Sequence, residues 1–151
     1  MTLIEQLILL AHVTGAAGLG AVIGWERESA AKPAGLRTHM TVCGACCLFV
    51  ILARAFVPFF ITVAEIHEEP FAIDPIRTLQ AIVIGVSFIG AGTILKAPQE
   101  DRVYFLTTAA SVLVSAGVGM AVALRLYLAA MGIACLFFVI QHWLGSSKAP
   151  Q

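Results

Sequence analysis

Long apolar runs, each close to the length of a membrane-spanning helix, follow one another along almost the whole chain. A helix needs about 20 apolar residues to cross the hydrocarbon layer of a bilayer. Five segments reach this length, at approximately residues 3–24, 38–60, 77–95, 103–124 and 126–144. Only Arg125 separates the last two, so four spans are an alternative to five. The sequence predicts an all-α membrane protein, a polytopic bundle of about five transmembrane helices over residues 1–145, with a short polar tail at 146–151.

The composition argues against a water-soluble domain. Hydrophobic residues make up 60% of the 151 residues and charged residues 12%, whereas globular domains carry roughly 25% charged residues. Such a chain lacks the polar side chains to cover its surface in water. Its formal net charge is zero, which gives no indication of a nucleic-acid partner. No basic segment precedes the first apolar run, a pattern typical of a retained span rather than a cleaved signal peptide.

The positive charges predict an orientation. Cytoplasmic loops of membrane proteins carry an excess of Lys and Arg. With the N-terminus outside, three basic residues lie on the outer side, namely Arg54, Arg77 and Arg125. The inner loops and tail then hold the other six: Arg27, Lys32, Arg37, Lys96, Arg102 and Lys148. We therefore expect an outer N-terminus and a cytoplasmic C-terminus.

Residues 25–39 concentrate charge between two apolar runs and contain Glu26, Arg27, Lys32 and Arg37. One interpretation is a solvated connector that fixes orientation, with Thr38 capping the second span. The other is a binding surface in which the same charges contact a partner protein or lipid phosphates.

Residues 74–77, Asp-Pro-Ile-Arg, form a second charged constellation. Asp74 before a proline is typical of a helix start, and Arg77 could pair with it. The alternative is a carboxylate that lines an outward-facing cavity and attracts a cation. A lone carboxylate is a poor magnesium or calcium ligand set, so no metal ligands are predicted.

Two further motifs could contribute to a binding site. The third apolar run contains Ser87, Gly90 and Gly92 in a glycine-rich segment, which fits either close helix packing or an unwound backbone facing a cavity. Thr107 and Thr108 could bond to the preceding turn or offer hydroxyls to a ligand.

Small residues recur at intervals of four in the first and fourth runs, a pattern that lets helices approach closely. They are Ala16, Gly20 and Gly24, and then Ser111, Ser115 and Gly119. Such faces fit contacts within one chain or a homodimer. Cys43 and Cys46 have no second ligand pair at matching spacing and are interpreted as small packing residues. No Ser-His-acid set or phosphate loop occurs, so neither an enzyme nor a cofactor is predicted.

Taken in order, these motifs resemble the MgtC/SapB family. The first block is Ile-Gly-Trp-Glu-Arg-Glu at 23–28 followed by Lys-Pro-Ala-Gly-Leu-Arg-Thr-His at 32–39. Residues 74–77, 85–92 and 106–110 resemble the later blocks. Two positions depart from the family pattern. Phe105 stands where a glycine is usual, and Leu113 stands where a tryptophan is usual.

The resemblance implies a multi-pass protein of the bacterial inner membrane with a periplasmic N-terminus. Family members are linked to growth under magnesium limitation and to survival inside macrophages. The best-studied member is regarded as a regulator that acts on the membrane ATP synthase. The resemblance thus implies a non-enzymatic regulator whose partners are membrane lipids and another membrane protein, with the ATP synthase as a candidate. It also implies a short form without the family's soluble C-terminal domain.

Two alternatives stay open. One is a small magnesium transporter or channel, with a path along Asp74, Arg77, Ser87 and Thr108. The other is a helical bundle that binds lipid between its third and fourth spans.

Overall fold

A computed structural model describes residues 2–63, 75–96 and 103–146 of the chain. Five helices are present: α1 Leu3–Ser29, α2 Leu36–Val63, α3 Pro75–Thr93, α4 Leu106–Ala123 and α5 Tyr127–Ser146. Between α3 and α4, strand β1 (Leu95–Lys96) pairs antiparallel with β2 (Val103–Tyr104). Leu95 lies opposite Tyr104, and Lys96 lies opposite Val103. The predicted all-α helical bundle is confirmed, and this short hairpin is an addition to it.

Helices α1 and α4 end in the same backbone motif, in which Ala31 and Arg125 respectively adopt a left-handed conformation. At the end of α4, Arg125 adopts a left-handed conformation (φ 63°). The Arg125 N–H donates to the Val122 carbonyl, and the Leu126 N–H donates to the Ala121 carbonyl, each at 2.9 Å. This Schellman arrangement stops a helix and reverses the chain. The last two apolar runs are therefore separate helices rather than one bent element.

Within the described residues, four helices are long and apolar enough to cross a membrane, as judged by length and composition. Their qualifying segments are Leu3–Ser29, Leu36–Phe56, Ile76–Thr93 and Leu106–Ala123. The apolar part of α5, Tyr127–Trp143, is shorter. Large apolar side chains such as Phe88 (81% exposed) and Leu128 (83% exposed) cover the outside of the bundle. Such a surface requires lipid tails as its solvent. The protein is therefore a multi-pass membrane protein.

Helix α4 lies at the centre of the bundle and contacts each of the other four helices. The first residues of α4 contact the end of α1, the start of α2 and the end of α3, so these termini lie together at one end of the molecule. Arg27 near the end of α1 bonds Thr108, His39 near the start of α2 bonds Ser111, and Gly90 near the end of α3 lies beside Ala109. Successive helices thus alternate in direction. We call this end of the bundle the charged end, because it holds Glu26, Arg27 and Lys32.

Close backbone contact between α1, α2 and α4 depends on glycine. A Cβ on Gly119 of α4 would collide with the carbonyl oxygen of Cys43 on α2. A Cβ on Gly20 would lie 2.5 Å from the His39 oxygen, and one on Gly24 would lie 2.7 Å from the Leu36 Cα. The small-residue faces found in the sequence are therefore used within the chain, where they allow the helices to approach closely.

Most of the core between these three helices is apolar. Its fully buried members are small or branched residues, among them Ala16, Ile23, Cys43, Cys47 and Val118. Cys43, Cys46 and Cys47 are buried free thiols, and they fill space as small hydrophobic residues do.

Candidate functional site

Arg27 anchors a buried polar cluster at the charged end. The last turns of α1 carry its side chain inward, where it is 5% exposed. Its Nη2 donates to the Thr108 hydroxyl at 3.1 Å and reaches the Thr107 hydroxyl at 3.4 Å. Thr108 is fully buried, whereas Thr107 is exposed. Because a buried guanidinium is costly without acceptors, Thr108 stabilises the charge inside the bundle.

His39 continues the cluster from α2. Its ring is fully buried. Nδ1 lies 2.8 Å from the Gly35 carbonyl, and Nε2 lies 3.1 Å from the Ser111 hydroxyl. A carbonyl can only accept, so Nδ1 carries a proton. The Ser111 hydroxyl also lies 2.8 Å from the Thr108 carbonyl, to which it can donate. We call Arg27, His39, Thr107, Thr108 and Ser111 the polar cluster.

The turn between α1 and α2 is held by Glu28. Its Oε2 accepts a hydrogen bond of 2.7 Å from the Leu36 N–H, the first residue of α2. The helix therefore begins before Thr38, which lies in its first turn, and the prediction that Thr38 caps the second span is wrong. The Glu28 carboxylate of α1 caps α2 instead, because it accepts a hydrogen bond from an N–H that has no partner within the helix. Lys32 and Arg37 lie exposed at this turn.

A cavity of ≈ 490 Å³ opens between the last turns of α1 and α5. Glu26, 8% exposed, and Arg27 line it from α1. Within the part of the chain that the structure describes, three buried atoms here have no hydrogen-bond partner: Glu26 Oε2, Arg27 Nε and Gln141 Oε1. Such orphaned groups are rare in stable structures and call for an explanation.

The predicted binding residues on α3 do not lie together at this site. Gly90 is buried beside Ala109, but Ser87 and Gly92 are exposed. Arg77 lies 13 residues before Gly90, which is about 20 Å along a helix that rises 1.5 Å per residue. Asp74 lies outside the described residues. The described members of the proposed transport path are therefore separated, with Ser87 on the outer surface and Thr108 bonded to Arg27.

Three residues of this region were not singled out from the sequence as binding residues: His39, Ser111 and Gln141. His39 closes the first family block, which was a usable signal. Ser111 follows Thr108 by three residues, which places both on one helix face, but it was interpreted as a packing residue. Gln141 carried no local signal, because only the packing of α5 against α1 brings it to Glu26.

The described residues contain no group of three or more His, Cys, Asp or Glu side chains that could hold a metal ion. The cavity instead mixes one carboxylate, a guanidinium and an amide with aromatic rings. This set suits an organic ligand with groups of both charges.

Comparison with known proteins gives a consistent result. A family model described as "MgtC family" matches residues 13–148. The chain is 36% identical over 124 residues to "Putative magnesium transporter YhiD" of Escherichia coli K12, covering 82% of this chain and 52% of that protein. It is 36% identical over 124 residues to Protein SapB of Bacillus subtilis, covering 81% and 49%.

Protein MgtC of Salmonella typhimurium LT2 is 33% identical over 102 residues, covering 68% of this chain and 37% of that protein. The chain spans about half the length of the first of these relatives. No solved structure matches it.

Proposed function

The chain belongs to the MgtC family, and from this premise we propose that it is a non-enzymatic regulator of magnesium homeostasis in the bacterial inner membrane. The name of its relative YhiD refers to magnesium transport, which supports a role connected with that ion. The family is not a known enzyme family, and the Ser111–His39 pair of the polar cluster is buried, where no substrate reaches it.

The close apolar packing of α2 against α4 is the observation that favours regulation over transport. Below the polar cluster, α2 and α4 meet backbone to backbone at Cys43 and Gly119. The residues around this contact, such as Val118 and Ile23, are fully buried and apolar. An ion path needs polar groups along its length, and the described residues that pack around this contact are mostly apolar.

The exposed charges at the turn between α1 and α2 are the proposed contact surface. Lys32 and Arg37 project there, next to a turn fixed by Glu28. A rigid turn presents its charges at low entropic cost, which favours recognition. We propose that the partner is another membrane protein, and family resemblance makes the ATP synthase the first candidate.

We further propose that this surface is cytoplasmic and the N-terminus periplasmic, as the positive charges predict. A cysteine introduced at Lys32 of a variant with Cys43, Cys46, Cys47 and Cys135 replaced by Ala should react with a membrane-impermeant maleimide only after the cells are opened. Labelling of intact cells at this position would reverse the orientation.

Growth at limiting magnesium tests the regulatory role. In a bacterial strain that lacks its own family member, the wild-type chain should restore growth. Arg37→Ala should abolish rescue while the protein still accumulates in the membrane. Arg54→Ala is the matched control, an exposed arginine near the other end of the same helix, and it should rescue normally. Full rescue by Arg37→Ala would remove Arg37 from the contact surface.

Purified protein in liposomes tests the transport alternative. We expect magnesium flux equal to that of empty liposomes, both for wild type and for Asp74→Asn. Flux above the background that falls in Asp74→Asn would overturn the regulatory proposal in favour of a transporter.

A further inference from the structure

The cavity between α1 and α5 has the size of a ligand site. At ≈ 490 Å³ it lies within the range of about 300–1,000 Å³ that small-molecule pockets occupy. A single water occupies only about 30 Å³ of liquid volume. Trp25, whose side chain is 66% exposed, and Phe138 form part of its wall. The site therefore has an aromatic wall at the outer surface and charged groups inside.

The orphaned polar atoms define what a ligand must offer. Glu26 Oε2 and Gln141 Oε1 are acceptors and need N–H or O–H donors. Arg27 Nε is a donor and needs an acceptor, and the exposed ammonium of Lys32 lines the same cavity. Glu26 and Arg27 are each more than nine-tenths buried, so bulk water has little access to these side chains. A ligand that carries a cationic N–H donor and an anionic acceptor together would satisfy both kinds of group.

We propose that this cavity binds a zwitterion that joins a primary ammonium to a phosphate, the headgroup of phosphatidylethanolamine. The ammonium donates to Glu26 and Gln141, and the phosphate accepts from Arg27 Nε and Lys32. A membrane protein meets this lipid at the bilayer surface, where tryptophan side chains also concentrate. The site goes beyond the proposed regulatory function and does not depend on it.

The chemistry separates this headgroup from two common alternatives. A choline headgroup has the phosphate but no N–H, so Glu26 Oε2 would stay without a partner. A glycerol headgroup has hydroxyl donors but no cation to neutralise the carboxylate. Since a hydrogen bond to a charged group is stronger than a neutral one, the preference should run from ethanolamine to glycerol to choline.

Lipid retention measured by native mass spectrometry tests the site. Full-length protein released from nanodiscs with equal ethanolamine, glycerol and choline lipids should retain the ethanolamine lipid about tenfold over the choline lipid, a ratio that corresponds to one charged hydrogen bond. Glu26→Gln should abolish this preference, and Gln141→Leu should weaken it. The matched control is Gln80→Leu on α3, where the side chain is exposed, and it should bind as wild type does.

Circular dichroism and the thermal midpoint verify that each variant is folded. Soluble phosphoethanolamine forms a second arm of the experiment. If soluble phosphoethanolamine binds only when Glu26 is present and the protein shows no lipid preference, the ligand has the same headgroup chemistry but comes from a soluble source. That result would overturn the membrane source. Equal retention of all three lipids together with no phosphoethanolamine binding would overturn the site.

Discussion

The guanidinium of Arg27 donates to the hydroxyl of Thr108 at 3.1 Å, across 81 residues of sequence. This bond joins the end of the first helix to the start of the fourth and places a positive charge inside the bundle. It also ties the turn that carries Lys32 to the central helix. The polar cluster thus holds together the end of the molecule on which the proposed contact surface and the proposed headgroup site both lie.

Thr108→Val removes the buried acceptor of Arg27 and keeps the side-chain shape. We expect the free energy of unfolding to fall by about 1–2 kcal/mol, the range for losing a charged or intramembrane hydrogen bond. Thr107→Val is the control, because its exposed hydroxyl lies at 3.4 Å from the same nitrogen. Denaturant titration in mixed micelles measures both variants. Equal losses in the two would contradict the assignment of Thr108 as the main acceptor.

Gly119→Ala forces a methyl group against the carbonyl of Cys43 on α2. Both groups belong to well-packed helices, so one helix must move, and overpacking of this kind costs about 1–3 kcal/mol. Gly117→Ala is the matched control on the same helix, since a Cβ there meets no atom within 4 Å. Thermal unfolding followed by circular dichroism should show a lower midpoint for the first variant alone. Similar midpoints for both would mean that α2 and α4 do not approach as closely as described.

Ser111→Ala leaves His39 Nε2 without its partner, because the Ser111 hydroxyl is the group that faces the ring. A buried nitrogen left unpaired should lower the free energy of unfolding by about 1–3 kcal/mol. Within the described residues, Ser115 bonds only the Ser111 carbonyl of its own helix, at 3.2 Å, and Ser115→Ala should be nearly neutral. Denaturant midpoints compare the two. The imidazole nitrogen resonances give a second readout, and they should shift in Ser111→Ala and stay unchanged in Ser115→Ala.

Glu28→Ala removes the acceptor of the Leu36 N–H. We expect a loss of about 0.5–1 kcal/mol, the lower part of the range for losing a helix cap, because the carboxylate is exposed. Hydrogen exchange should become faster at the Leu36 amide and in the first turn of α2. Glu28→Gln retains an oxygen at the same position and should restore most of the protection. Unchanged exchange in Glu28→Ala would show that the bond does not hold the turn.

Much of the fold was predictable because lipid leaves few options for the backbone. Buried N–H and C=O groups must pair within the span, so long apolar runs become helices. The boundaries were less predictable. The first apolar run ends at Gly24, but α1 continues to Ser29, because helical hydrogen bonding does not stop where hydropathy does. The end of α4 depends on a left-handed Arg125, a conformation that residue type alone does not indicate.

The sequence by itself determined the helical membrane architecture and the family, and it predicted a functional segment around Glu26 and Arg27. Only the tertiary structure decided that these two charges turn inward while Lys32 and Arg37 stay exposed. It also decided that His39 meets Ser111, and that Gln141 reaches the cavity beside Glu26. Hydropathy and motif spacing are properties of one segment. The partner of a buried charge is set by the rotation and close packing of helices far apart in the chain, which glycines on their facing surfaces allow.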